Sequence, residues 1–333
     1  MSLPPVETPL GAMRFNSDYQ KLEYFNGDVW MQVHTFSPDL NGGVRAVMPG
    51  GADPGYSNMI QAWNIATTGS CFDFGNLTET RGYVMGAASS TRAVFGGGGV
   101  GSPQIYDTID YVTMASLGDA TAFGEFVGSD RWHGAGASNQ TRALFAGGDS
   151  PKSAEIDYIT IASTGNGVDF GDLSATKEGP PGVNSPTRAC FHGGITPSLV
   201  NSIEYVTIAS TGDAQDFGDT TQANFGGAAG CNAVRGIIGG GTTPSPHAVI
   251  ESTYMATKGN NTNFGELTAA RRYHGAASSS TRVTWGGGLT PGITDVMDYV
   301  SIATEGNAID FGDLFDAMFA CDGATSNGHG GLG

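Results

Sequence analysis

Positive charge is scarce in this chain. Against 32 Asp and Glu stand only 15 Lys and Arg, a formal net charge of −17 over 333 residues. A broad basic face for nucleic acid is therefore not expected. Long apolar runs are missing too, and nothing approaches the roughly 18 residues that a membrane-spanning helix needs. No segment sustains a 3.6-residue apolar period, so no helix of consequence is expected. Cysteine is limited to Cys71, Cys190, Cys231 and Cys321, none in a C-x-x-C pair. Scattered buried thiols are expected, rather than a disulfide frame or a zinc site. The opening MSLPPVETPLG has neither a basic nor an apolar signal region, which fits folding in a reducing cytosol. His34, His133, His192, His247, His274 and His329 show no metal-ligand spacing. There is no G-x-S-x-G, and no nucleophile–base pair stands out. No metal, no cofactor and no catalytic residue are expected.

Glycine is plentiful, at 53 residues, and its placement is periodic. One stretch recurs six times. A clear copy reads TRACFHGG, a variable loop, SIEYVTIASTG and DAQDFGD. Its Arg falls at Arg45, Arg92, Arg142, Arg188, Arg235 and Arg282, in steps of 47, 50, 46, 47 and 47. Its Phe falls at Phe74, Phe123, Phe170, Phe217, Phe264 and Phe311, in steps of 49, 47, 47, 47 and 47. Each copy holds four strand-like runs: a small-residue run such as Gly86-Ala87-Ala88-Ser89, Gly134-Ala135-Gly136-Ala137 or Gly275-Ala276-Ala277-Ser278; the Arg run ending in a glycine pair; a β-branched and aromatic run; and the Asp-Phe-Gly-Asp run. A period of about 47 residues with several short strands predicts an all-β propeller of six four-stranded blades. Small residues on the first run suit crowded innermost strands. Tyr111, Tyr158, Tyr205 and Tyr299 are expected to fill the wedge farther out.

The glycine pairs (Gly147-Gly148, Gly193-Gly194, Gly239-Gly240), the strand-three Tyr and the strand-four aromatic resemble kelch-type repeats over residues 44–333. Phe replaces the usual kelch Trp, so the reading is kelch-like. The first repeat lacks its small-residue strand, and Gly323-Ala324-Thr325-Ser326 supplies one at the other end. The C-terminal strand is therefore expected to complete the first blade and close the ring.

Residues 1–43 follow another pattern. Met13-Arg14-Phe15, Leu22-Glu23-Tyr24-Phe25 and Trp30-Met31-Gln32-Val33 read as three short strands, with Asn26-Gly27 as a turn. Gly11, Arg14, Phe15, Asn16, Lys21, Leu22, Glu23, Tyr24, Phe25, Gly27 and Trp30 resemble a motif near the ends of tailed-phage fibre and tail proteins. The propeller repeats also resemble repeats of phage virion proteins. The resemblance implies a non-enzymatic tail or fibre protein, made in the host cytoplasm and assembled into the virion as a homo-oligomer. Residues 1–43 would attach it to other virion proteins through Phe15, Tyr24, Phe25 and Trp30. A cap on the propeller is the plainer alternative for this segment.

The three–four loops barely vary between copies, whereas the two–three loops and the loops between blades vary freely. Variable loops on a rigid scaffold carry function, so the variable face is expected to bind a host-surface glycan or receptor. Arg81, Tyr83, Arg131, Trp132, Lys177, Arg271, Arg272 and Tyr273 are the expected ligand-binding residues, since Arg, Tyr and Trp are favoured at interfaces. An adaptor or decoration protein of the virion, or a glycan-cleaving propeller, are the alternatives. Asp-Phe-Gly recurs without the other kinase elements and is read as scaffold. Its carboxylates are expected to pair with the strand-two Arg or to make turn hydrogen bonds, with a calcium site as the alternative. His133 and His274 are read as one repeat position beside the inner strand.

Overall fold

The computed structural model describes residues 9–16, 21–32 and 43–332. Val33 and His34 lie outside the described residues. The chain divides into two compact units, Met1–Asp39 and Leu40–Gly333.

The first unit carries an antiparallel sheet of Met13–Asn16, Lys21–Phe25 and Trp30–Gln32, in that order. The Asn26 side-chain oxygen accepts the Asp28 and Val29 amides, at 3.0 and 2.8 Å, and so forms the tight turn. Alternation along the strands separates two faces. Met13, Phe15, Tyr24 and Met31 are exposed along with Leu22, and the register puts all five on one side. On the other side Arg14 binds Glu23 at 2.8 Å and lies over the Trp30 ring, which packs on Phe25.

The second unit is six four-stranded antiparallel sheets, here called I to VI. Their second strands are Arg45–Pro49, Arg92–Gly96, Arg142–Ala146, Arg188–His192, Arg235–Gly239 and Arg282–Gly286. Sheet I takes its first strand from the far end of the chain: Thr325 pairs with Val47 and Ser326 with Ala46. The expected joining of the two ends of the repeat array is thus present. First strands of successive sheets touch in order from II to VI. The one in sheet VI touches Thr325–Ser326, which in turn touches the one in sheet II.

The Phe-Gly of strand four explains why its face is uniform. In every sheet the Phe is the extra residue of a β-bulge, leaving its carbonyl unused by its own sheet. That carbonyl accepts the amide of a glycine in the next sheet: Gly118 donates to Phe74, Gly165 to Phe123, Gly212 to Phe170, Gly259 to Phe217, Gly306 to Phe264 and Gly69 to Phe311. A Cβ on the glycine after each Phe would overlap the glycine carbonyl of the next sheet. The strand-two Arg residues also reach the next sheet. Arg92 donates to Ile161 and Ala162 carbonyls, Arg188 to Met255 and Ala256, and Arg282 to Ile65 and Ala66. Arg45, Arg142 and Arg235 bind Met114, Ile208 and Ile302 in the same way. Backbone carbonyls hold these six cations, with Glu305 added for Arg235 at 2.8 Å, and among the described residues none pairs with an Asp-Phe-Gly-Asp carboxylate. The rings of Tyr111, Tyr158, Tyr205 and Tyr299 lie beneath four of them. Identical contacts made six times need identical residues.

Inner strands leave one edge without a partner in their own sheet. Ser138 Oγ donates to the Ala88 carbonyl and accepts its amide, and Ser278 Oγ does the same for Cys231. The C-terminal tail supplies more. His329 Nδ1 accepts from Asn184 and Gly331, at 2.9 and 3.1 Å, so Nε2 carries the proton and donates to the Ala88 carbonyl at 2.8 Å. Gly328, Gly330 and Gly331 fit there because a Cβ would overlap the Gly43, Asn232 and Ser138 carbonyls.

Burial keeps three histidines neutral. His329 is pushed down to about 4, His192 to about 3, and His274 well below its usual value. In the unfolded chain all three take up protons near pH 6.5. Stability is therefore fully present above pH 6.5 and is lost as pH falls towards 4. Burial raises Asp322 to about 6, which works in the opposite direction between pH 6 and its unfolded value near 3.8. Each net proton is worth about 1.4 kcal/mol per pH unit. Urea unfolding between pH 7 and 4.5 should show stability falling on acidification. His329→Gln should flatten that slope by about one proton, and Asp322→Asn should steepen it.

Candidate functional site

The expected ligand-binding residues separate into two sets. Arg81, Arg131, Lys177 and Arg271 are 0%, 0%, 1% and 0% exposed. Each cation reaches back under its loop to an acid on strand three. Arg81 binds Asp110 and Arg131 binds Asp157, both at 2.8 Å. Lys177 lies 3.4 Å from Glu204, and Arg271 pairs with Asp298. Arg81 also donates to the Gly97 and Thr108 carbonyls at 2.9 Å. The positive φ of Gly97 (65°) turns the chain at the end of strand two, next to that carbonyl. The reading of these four as surface cations is corrected: they hold loops to sheets. Their periodicity was the available signal. Positions 81, 131, 177, 224, 271 and 318 step by 50, 46, 47, 47 and 47, with a cation at four of the six, and what recurs with the repeat is scaffold. At Asn224 the strand-three acid Glu251 stays and is bound by Thr221 and Asn261 instead. Where sheet I has Met318 in place of the cation, the acid is replaced as well, by Gln61.

The other set converges. Tyr83, His133, Gly179, Gly226, Tyr273 and Ala320 occupy one repeat position, and all six have positive φ, from 54° to 66°. Successive members are joined by backbone hydrogen bonds. Tyr83 donates to Ala320 (2.7 Å), His133 to Tyr83 (2.9 Å), Gly179 to His133 (2.7 Å), Gly226 to Gly179 (3.2 Å) and Tyr273 to Gly226 (2.7 Å). Four of the six are not glycine, a strained choice worth about 1–3 kcal/mol each and typical of functional sites. The strand register also corrects the pairing of His133 with His274. His133 matches Tyr273, and His274 matches Gly134.

Large side chains at three of these positions, with their neighbours, form a rosette. Tyr83 lies 5.2 Å from Trp132, 5.6 Å from Tyr273 and 4.9 Å from His133, by ring centres. Phe225 packs on His133 and Tyr273, and Phe319 on Tyr83. Gly179 and Gly226 leave the space, since a Cβ there would strike Phe225 and Tyr273. Arg272 stacks over Tyr273 at 4.9 Å. Tyr83, Trp132, Arg272, Tyr273 and Phe319 stay partly exposed. Bridges join Trp132 to Asp149 and Arg272 to Leu289, so the loops between sheets and the two–three loops share this face.

Next to His133 is a cavity of about 60 Å³, lined mainly by first-strand glycine and alanine, with Asp322 and His329. Asp322 lies shortly before the Thr325–Ser326 strand of sheet I. Its carboxylate accepts no hydrogen bond among the described residues and lies 3.3 Å from His133 Nε2. His133 Nδ1 is 3.5 Å from Glu178, which Lys152 binds at 2.9 Å. The His133 hydrogen bond, then Lys152, holds the Glu178 carboxyl below its usual range against the opposing effect of burial. Burial raises the phenols of Tyr83 and Tyr273, while Arg272 favours both phenolates. Asp322 and Phe225 belong to no motif in the sequence, and only the assembled sheets show that both face His133. No family model matches the chain, and no curated protein matches it.

Proposed function

We propose that the six sheets are the blades of a closed, kelch-like propeller, and that the protein is a non-enzymatic component of a phage tail or fibre. The observation that carries the binding role is the contrast between faces. One repeats the same inter-sheet contacts six times; the other gathers residues from positions that vary between copies, Trp132, Arg272, Tyr83 and Tyr273, into a single rosette. Binding surfaces favour these residue types. The host-surface glycan or receptor contacts this rosette. The first sheet attaches the protein to the virion through its open side, where Phe15 and Tyr24 stand. Phe25 and Trp30, packed with Arg14, support that face from behind. Three strands this short do not bury a core alone, which suits a segment completed by a partner.

A glycan-cleaving reading is disfavoured. Glu178 and Asp322 flank His133, but a cavity of about 60 Å³ has no room for a sugar ring, and typical ligand pockets start near 300 Å³.

The test is adhesion of the fluorescently labelled full chain to a panel of bacterial strains. Trp132→Ala and Tyr273→Ala should abolish adhesion with little change in melting temperature. Undiminished adhesion by both folded variants would refute the assignment of the binding face.

A further inference from the structure

We infer that the rosette takes a saccharide bearing an anionic group, with Arg272 as the residue that selects the charge. This rests on the reading of the rosette as the ligand-binding face.

Arg272 is set apart by what it lacks. Arg81, Arg131, Lys177 and Arg271 are paired with buried acids, and Lys152 is held by Glu178. Arg81, Arg131, Arg235 and Arg271 share with Arg272 a buried Nε that has no acceptor, but their terminal nitrogens are bound, whereas no hydrogen bond or ion pair joins any nitrogen of the Arg272 guanidinium to a described residue. A buried donor left unpaired is costly, so an acceptor brought by a ligand is worth more there than on open surface. The Arg272 guanidinium carbon lies 4.9 Å from the Tyr273 ring centre, over the ring, which braces it on that side. Its N–H edge then suits two oxygens of a carboxylate or phosphate. Arg272 contributes a fork-shaped cation, and the rings around it contribute flat apolar faces.

Those rings meet edge to face, at interplanar angles of 68° for Tyr83 with Trp132 and 89° for Tyr83 with Tyr273, so they turn differently oriented faces towards a ligand. Tyr83, Trp132 and Tyr273 lie within 5.6 Å of one another along the chain of contacts, and all are partly exposed. Tyr83 and Tyr273 are held in left-handed backbone, at φ 54° and 56°, so their rings are placed before any ligand arrives. A pyranose ring presents C–H faces to such rings and hydroxyls to phenol and indole groups. Glu178 and Asp322 lie beside His133, and Asp149 bridges Trp132. Glu178 is occupied by Lys152 and His133, and Asp322 faces the inner cavity, leaving the Arg272 side for the anion.

The full chain would be applied to an array of neutral glycans, uronate- or sialate-bearing glycans, and phosphorylated glycans. Binding to carboxylated or phosphorylated members, with matched neutral glycans at least tenfold weaker, is the expected result, and the arm that binds identifies the acid. Arg272→Gln should lower affinity for those members about tenfold or more. Arg272→Lys should recover part of it, and raising salt from 50 to 500 mM should weaken the wild type but not Arg272→Gln. Melting temperatures of both variants should match wild type. Equal binding of neutral glycans, no binding of any acidic glycan, or an unaffected Arg272→Gln each overturns the inference. Adhesion to cells that persists in Arg272→Gln but is lost in Trp132→Ala would refute the charge preference and keep the binding face.

Discussion

A chain ended at Asp322 should lose its cooperative unfolding transition. The deletion removes the first strand of sheet I, which pairs with Ala46 and Val47. It also removes the Asn327 side chain that accepts the Arg45 amide at 3.0 Å, and Ser326, whose hydroxyl binds the Ser278 carbonyl of sheet VI. The His329 contacts to Ala88 and Asn184, in sheets II and IV, go with it. Four sheets thus lose contacts at once, and the Arg45 strand is left with an open edge that invites association. The expected result in calorimetry is a broad, low-enthalpy transition with aggregation. A synthetic peptide of residues 320–333 added in trans should restore part of the lost enthalpy. A truncated chain that melts as sharply, and at the same temperature, as the full chain would show that the tail is not what joins sheet I to its neighbours.

Arg271→Met should destabilise the protein by about 3–5 kcal/mol, because it strands Asp298 at 0% exposure without its cation. Asp298 would keep Thr268, whose hydroxyl donates at 2.6 Å, but a hydroxyl does not balance a buried charge. The double variant Arg271→Met/Asp298→Gln should recover most of the loss. Sheet I is the precedent within the same chain: Met318 stands where the cation would be, and Gln61 accepts the Phe315 amide and donates to the Asp316 carbonyl. Replacing both partners of a buried pair is often close to neutral, whereas removing one is not. Urea denaturation of the single and double variants measures the difference. A single variant within 0.5 kcal/mol of wild type, or a double variant no better than the single, contradicts this account of the buried cations.

These cations mark where sequence reasoning stopped. Arg131 and Arg271 sit in variable loops beside Trp132 and Tyr273, and by composition alone that reads as a binding surface. The reading went wrong because a loop of eight or nine residues can fold a long side chain inward as easily as outward. Here glycine turns such as Gly97 and Gly287 present carbonyls to receive it. The internal periodicity of the cations, and the matched loss of charge at Met318 and Gln61, were both legible and point to the buried answer.

The repeat spacing by itself determined the sheets. Period, small inner strands, glycine pairs and the bulged Phe-Gly are local signals, set by backbone freedom and strand propensity, and each is written six times. The displaced Thr325-Ser326 strand was legible for the same reason, as a repeat unit missing at one end and present at the other. The site was decided by tertiary structure. Tyr83, Trp132, the Arg272-Tyr273 pair and Asp322 lie in four different repeats, so nothing local brings them together. They meet because the inter-sheet contacts place the same backbone position of each repeat next to its counterparts, where the exceptions to the repeat face one another.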